Sequence, residues 1–573
     1  MQIKRRLSPE ESGEGTKEYP YAAFEGQNRR PKRTRLSSDS ISIASRPPPR
    51  DIVSTLPPEL LVRILSYLGE TTLLNISPVS RLFCRITSDR QLWRLHYYRR
   101  FILPRAHLIP GFRKNGKAAT TTASLGRTGT TGRATKPGPT DHPGDYVDWK
   151  KSYKLLHNWA RGRCDVDELQ LHPQERISLG KTLVKVVEGL AITADATTGL
   201  LVWDLRTRSL IAQASLGLHG ECCDVRPTCL AVDDQLSAMG EMGIAAGFED
   251  GTFGVWRMDL NKRQLVSVCR YNRGPYGELM AVAYCHPYVL AASTSGSVSL
   301  WMLDHPPRVD SDKRMDNAAL VPYLLRSLKS HSTRPPLTLS IRRVSSSVVA
   351  SIAYTLDTVS GWCIGIQDLD IHPSPNHALP EIIESRVAHT TPTSTRGSAS
   401  STPDSSPRGR HYAFDEPSPP PNTRDNPDGP IRLCYSHPYL LATLPDNTLL
   451  LHLCTTTPAA LTISPGIRLW GHTSGISDAE ITARGKAVSV SARGDEIRVW
   501  ELEGRVSGSS VEVRPRHQQG GDDDAHEMAA LARGVPAGLM DYRKNKVGFD
   551  DEMVIVLKEA LDGRESLMVY DFT

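Results

Sequence analysis

The sequence predicts a small three-helix bundle followed by a large all-β ring, a β-propeller of seven four-stranded blades, with six as the alternative count. Three observations carry this reading. Residues 51–98 hold closely spaced apolar residues between helix-start and helix-stop signals. From residue 164 onward the pattern changes to apolar runs of four to eight residues punctuated by turn signals. Within that region one unit recurs: an apolar strand, a tight turn, and a second strand that ends in an aromatic.

The helical region reads in order. Leu56-Pro57-Pro58-Glu59 opens the first helix, with prolines tolerated in its first turn and an acid at the positive end of the helix dipole. The apolar run Leu60 to Leu68 comes next. A second short helix fits Thr71–Ser77 and stops at Pro78. Ser80–Ser88 and Asp89–Tyr98 complete the bundle. Residues 1–50 are polar, with a basic Arg29–Arg35 cluster and Pro47-Pro48-Pro49, and read as a disordered basic tail. Residues 99–145, rich in Gly, Thr, Pro and Lys, read as a disordered basic linker. A lead-in helix is expected over 146–163, where Tyr146, Trp149 and Tyr153 share one helix face.

The propeller is expected to occupy 164–573. Its units end at Trp203, Trp256, Trp301, Trp500 and Tyr570, with weaker copies at Gly361–Asp368 and Asp446–Leu453. The run Tyr284–Ala291 reappears as Tyr435–Ala442, each copy holding a His-Pro-Tyr step. Two polar stretches, 371–430 with its Ser-Pro and Thr-Pro steps and 504–540, read as disordered inserts outside the blades. Without them the region supplies seven units of roughly 40–45 residues. A ring needs a closing strand, and the alternating run Gly162–Leu171 is expected to lie beside Glu565–Phe572 and remove the free edge.

Composition limits function. Among 573 residues no apolar run approaches the ~18 needed to span a bilayer. The Met1–Arg6 start leads into polar sequence without an apolar signal core. The reading is a nuclear or cytoplasmic protein, or one shared between the two, with Arg29–Arg35 a candidate import signal. Ten cysteines without any Cys-x-x-Cys spacing read as reduced, buried thiols, so no metal site is expected. Residues 1–50 carry a net charge of +5 and 99–163 a net of +11, so the rest of a chain of net +6 is acidic. A nucleic-acid-binding fold would carry the reverse, a basic stripe on a folded face.

The first helix says most about function. Between Glu59 and Leu68 only Arg63 and Ser66 are polar, and a helix apolar nearly all round must be covered all round. A bundle of this size cannot cover it alone. At ~25 cal/mol per Å2, leaving three or four such side chains wet forgoes several kcal/mol, so another surface is expected to take this one.

At these residues the sequence resembles a known family. Leu56-Pro57-x-Glu59-Leu60, Ile64-Leu65-x-Tyr67-Leu68, Val79-Ser80-Arg81, Phe83 and Asp89-x-x-Leu92-Trp93 resemble an F-box over its whole length. The chain beyond it resembles the F-box/WD-repeat family, including His157-Asn158-Trp159 and Gly162-Arg163-Cys164 before the propeller. The resemblance implies a Skp-type adaptor as partner and, through it, a cullin scaffold and a RING subunit, with the propeller holding an unidentified target protein. Carried onto this sequence, the adaptor positions are Leu56, Pro57, Leu60, Ile64, Leu65, Val79, Phe83, Leu92 and Trp93, some of which must instead hold the bundle together. Phe83 stands where the family often has Trp. In the propeller only Trp203-Asp204 keeps the Trp-Asp pair, and Gly471-His472 is the one clear Gly-His. Target-binding positions do not transfer onto so degenerate a ring.

Catalytic motifs are thin. Gly111–Lys117 has the spacing of a phosphate-binding loop but lacks the Ser/Thr that would hold Mg2+, Ala118 standing there, and no strand precedes it. His219, Glu221 and Cys222 read as loop residues, and His286 and His437, at equivalent repeat positions, as structural. No catalytic residue, cofactor or metal is therefore expected. The implied function is a non-catalytic substrate-recognition subunit of an SCF-type (Skp–cullin–F-box) ubiquitin ligase. The alternative is a non-degradative scaffold that uses both domains for assembly.

Overall fold

The structure is a computed structural model that describes residues 52–106, 147–171, 182–217, 225–233, 240–271, 277–303, 322–329, 333–344, 347–358, 361–372, 382–392, 429–457, 460–502, 510–515, 545–559 and 565–573. Two compact units divide at Pro57. The described part of the first is a 3-10 turn, Val53–Thr55, closed by the Leu56 N–H on the Val53 carbonyl at 3.2 Å. All else described belongs to the second unit.

That unit opens with four short helices: α1 (Pro58–Leu65), α2 (Glu70–Ile76), α3 (Arg81–Thr87) and α4 (Arg90–Tyr97). Each break has a local cause. Ser80 caps α3 by accepting from the Phe83 N–H at 3.2 Å, and Asp89 caps α4 by accepting from the Gln91 N–H at 2.8 Å. The helical path then continues through a π-turn, Tyr98–Ile102, into α5 (Leu103–Ala106). This corrects the expected linker, whose first residues are helical because Tyr98, Phe101 and Ile102 pack on a cluster of Trp93, Tyr97, Trp149 and Tyr153. Trp149 and Tyr153 come from α6 (Trp149–Arg161), the expected lead-in helix, capped by Asp148 and ended by Gly162 at φ 64°.

Seven sheets follow, which removes the six-blade alternative. Blades 1 to 6 span 183–214, 227–271, 279–329, 333–389, 432–469 and 476–512, and blade 7 is built from 546–571 together with Arg163–Gln170. Within each blade neighbouring strands are antiparallel, except for a short parallel pair at the outer edge of blade 7. First strands of successive blades touch around the ring, and blade 7 touches blade 1. Seven apolar clusters lie one between each adjacent pair of blades, so each blade is covered by its two neighbours. The closing strand behaves as its alternation predicts: Arg163–Gln170 pairs antiparallel with Glu565–Asp571, with Val166 opposite Tyr570. All seven aromatic-turn units fall on third strands of successive blades.

Two expected inserts are narrower than their sequence suggests. Blade 4 carries its third strand on to His372 and takes Ile382–His389 as its fourth, both inside the Ser/Thr-Pro stretch, because Ile383 and Ala388 pack onto neighbouring cores. Within 504–540, Ser510–Glu512 is the fourth strand of blade 6, and Arg514–Pro515 pairs parallel with Arg163–Cys164. Residues 373–381, 393–428, 504–509 and 516–540 of the inserts, the tail 1–50, the remainder of the linker with Gly111–Lys117, and His219, Glu221, Cys222 and Cys223 lie outside the described residues. Among the described cysteines, burial pushes the thiols of Cys229, Cys269 and Cys454 up to about 12.

Candidate functional site

Helix α1 splits its apolar residues between two stripes. Leu61 and Leu65, four apart, are 2% and 4% exposed and face the bundle. Leu60, Ile64 and Tyr67 occupy a second stripe at i, i+4 and i+7 and are 52%, 51% and 69% exposed. Leu74 on α2 and Val79 in the following 3-10 turn are also exposed. The exposed stripe is held in place from behind. The Ser66 hydroxyl bonds the Arg63 carbonyl at 2.7 Å, and Arg99 donates to the Ser66 carbonyl at 3.0 Å. Arg100 pairs with Glu70 at 2.7 Å and donates to the Tyr153 hydroxyl, joining α2 to α6.

The nine residues expected at the adaptor interface fall into distinct places. Leu60, Ile64, Val79 and Pro57 are exposed, while Leu56 and Phe83 are half-buried. Leu65, Leu92 and Trp93 are buried in the bundle. Trp93 is fixed on both sides: its indole N–H donates to the Thr87 carbonyl at 2.6 Å, and its ring meets Tyr153 edge-on at 5.3 Å. The nine carried-over positions leave out Tyr67, although it belongs to the F-box-like motif, and Leu74; the i+3 and i+7 spacings of Tyr67 from Ile64 and Leu60 were the available signal.

Helix α6 joins this helical unit to the ring. The Asn158 amide donates to the Phe572 carbonyl at 2.7 Å, and the Trp159 indole N–H donates to the Asp551 carbonyl at 2.9 Å. Trp159 stacks on Phe572 with centroids 3.9 Å apart, and the Lys486 ammonium lies 4.1 Å from the Trp159 ring centroid. Because blade strands alternate in direction, turns alternate between two faces. Helix α6 takes the face that holds the turn between the first two strands of blade 7, where Asp551 sits. The opposite face holds the second-to-third-strand turns and the connections between blades. There Trp470 stands 67% exposed, with the Arg468 guanidinium 5.6 Å from its ring centroid and Arg468 paired to Asp446.

Four arginines that could have converged on a phosphate-binding mouth are each engaged locally. Arg343 donates to the His286 carbonyl, Arg432 pairs with Asp478 at 2.8 Å, Arg484 with Asp551 at 2.5 Å, and Arg498 with Glu496 at 2.5 Å. His286 and His437 keep equivalent places in blades 3 and 5, each ring beside a tyrosine hydroxyl, Tyr284 or Tyr435. Gly471-His472 belongs to a packing network in blade 6. There His472 and the Trp500 indole both reach the Ser489 hydroxyl, at 2.6 and 2.8 Å. Burial raises the Glu496 carboxyl, but the Thr473 N–H and hydroxyl and Arg498 outweigh it and hold it at about 2. Among the described residues no three His, Cys, Asp or Glu side chains gather as a metal site would need.

Comparison with known proteins agrees with this layout. A family model described as the F-box protein pof12 β-propeller matches residues 164–573, and one described as F-box-like matches 53–99. An F-box protein of Saccharomyces cerevisiae is 26% identical over 172 residues, covering 28% of this chain and 24% of the relative. The chain thus spans about a quarter of the length of that relative. The solved structure of U3-55K is 10% identical and covers 71% of this chain and 98% of that one, with a TM-score of 0.39. The β-propeller domain of Myceliophteria thermophila Cps50 (Swd1) is 12% identical and covers 71% and 100%, with a TM-score of 0.37.

Proposed function

Because this chain belongs to the F-box protein pof12 β-propeller family, with an F-box-like region ahead of the ring, we propose that it is the substrate-recognition subunit of an SCF-type ubiquitin ligase. The observation that carries the proposal is the exposed stripe of α1. Leu60, Ile64 and Tyr67 stay in solvent although α6 packs against the bundle through Trp93, Tyr97, Trp149 and Tyr153. A Skp-type adaptor is the partner that would bury this stripe, and it links the chain to cullin and RING subunits. The propeller then holds a target protein, and the face opposite α6, with Trp470 and Arg468, is the one left accessible for it. The chain itself performs no bond chemistry in this reading. It raises the local concentration of target lysines beside a charged E2 enzyme.

Reconstitution tests this. The full chain is assembled with adaptor, cullin, RING subunit and E2, and ubiquitin transfer to proteins captured by the propeller is followed by mass spectrometry. Transfer that is lost when Leu60 and Ile64 are replaced by aspartate supports the proposal. Adaptor capture with no transfer to any captured protein would favour the non-degradative scaffold.

A further inference from the structure

Two histidines stand at the joint that carries the helical unit on the ring. His96 on α4 is 8% exposed, and its Nε2 is buried without a hydrogen-bond partner. The Nδ1 of His157 on α6 is in the same condition. Between the two imidazoles lie Trp93 and Tyr153 in a row of ring contacts. Centroids are 6.1 Å apart from His96 to Trp93, 5.3 Å from Trp93 to Tyr153 and 6.1 Å from Tyr153 to His157. The row crosses from helix to helix, because Trp93 and His96 share one face of α4, and Tyr153 and His157 one face of α6. The seam between α4 and α6 thus has a titratable group at each end.

The surroundings of both rings oppose a proton. The charged groups near His96 are Arg99 of the π-turn and Glu70 of α2. Those near His157 are Arg100 of the π-turn, Arg161 at the end of α6, Arg163 of the closing strand and again Glu70. Among the described residues, four guanidinium groups therefore face one carboxylate, and Arg100 already holds that carboxylate at 2.7 Å. A neutral imidazole with one bare ring nitrogen is cheap to bury, whereas an imidazolium needs an acceptor for each N–H. Burial first, and then the arginines, hold both imidazoles below their usual range, with Glu70 pulling the other way. Burial pushes the Tyr153 hydroxyl between them up, so it keeps its proton throughout.

We propose that His96 and His157 form an acid-sensitive latch, which keeps α4 on α6 while both rings are neutral and releases it when they protonate. The neutral rings contribute stability above pH 6.5 that is lost as pH falls from 6.5 through their folded values. A proton on either ring also draws on Glu70, the carboxylate that positions Arg100 against the Tyr153 hydroxyl. The ties of α6 to the ring, from Asn158 to the Phe572 carbonyl and from Trp159 to the Asp551 carbonyl, contain no titrating group. Acid therefore leaves α6 seated on the ring and opens the seam with α4. The latch is independent of the adaptor reading.

The test is amide hydrogen exchange of the full chain, read by mass spectrometry at about pH 7.5 and about pH 5, with labelling times scaled for the intrinsic exchange rate. Protection of α4 and of the first half of α6 is expected to fall about tenfold at the lower pH. Glu241–Phe248, the second strand of blade 2, serves as internal reference and should keep its protection. In H96Q/H157Q the loss between the two pH values should shrink to about twofold or less. Because that variant could itself loosen the seam, R163Q provides a second handle. With one opposing cation removed, His157 gains its proton at less cost, and R163Q should keep more protection at the lower pH than the parent. Unchanged protection in the parent, equal losses in the parent and the double variant, or an equal loss in the blade 2 reference would overturn the proposal.

Discussion

In the propeller, each blade's apolar faces are closed by the blades beside it, through seven interblade cores and a last sheet completed by a strand that enters from α6. In the helical unit, α1 buries Leu61 and Leu65 and leaves Leu60, Ile64 and Tyr67 in solvent. The ring has no end at which apolar surface must stop, whereas a bundle of four short helices has more apolar stripes than neighbours. Among the described residues, closure by repetition leaves exposed apolar side chains on the ring only at turns and outer positions, such as Trp470, Leu210 and Tyr323. Incomplete closure leaves a whole helix stripe.

The largest expected effect tests the joint between the two regions. Trp159→Ala removes the stack on Phe572 and the hydrogen bond to Asp551. It should destabilise the protein by about 3–5 kcal/mol in urea unfolding, as for other buried aromatics. Values near zero would mean that α6 merely rests on the ring.

The next test separates the two stripes of α1. Leu61→Ala should lose about 2–5 kcal/mol, while Leu60→Ala, at the adjacent but exposed position, should stay within about 0.5 kcal/mol. Similar losses at both positions would erase the distinction on which the comparison rests.

Acid should weaken the ring through Glu496 and His472. The Glu496 carboxyl, held at about 2 against an ordinary 4.5, contributes stability above pH 4.5 that is lost as pH falls toward 2. Burial lowers His472 as well, so its neutral form contributes stability above pH 6.5 that is lost as pH falls from 6.5 through its folded value. Both act in the same direction. Glu496→Gln should flatten the melting-temperature profile between pH 4.5 and 2, by an amount on the order of 2 kcal/mol. A variant profile as steep as the parent's would place the acid sensitivity elsewhere. Gly162→Ala should also destabilise the protein in urea unfolding, by more than Leu60→Ala does. The left-handed backbone alone costs about 1 kcal/mol, with more from contact with Glu512.

Much of this architecture is legible in the sequence because it is local or periodic. Asp89 and Ser80 announce their helices, the alternation of Arg163–Gln170 identifies a closing strand, and the Gly-to-Trp units mark third strands. Fourth strands are harder. Ile382–His389 sits between prolines and carries Glu384, Ser385 and Arg386, because an outer strand meets the core on one side only. The site divides in the same way. A one-dimensional pattern identifies α1 as too apolar for its bundle, but the choice between Leu60 and Leu61 depends on which side of α1 meets α3 and α4, and the burial of Trp93 on where α6 returns after some forty residues. Tyr67 was missed because a tyrosine next to a helix end reads equally well as an interfacial or a solvated residue.

The most direct test of the central claim is the affinity of the full chain for a purified Skp-type adaptor, measured by titration calorimetry for the parent and for the Leu60→Asp/Ile64→Asp double variant. The account predicts tight binding by the parent and a loss of at least a hundredfold in the variant, with both proteins melting at the same temperature. Equal affinities, or no binding by the parent, would contradict it.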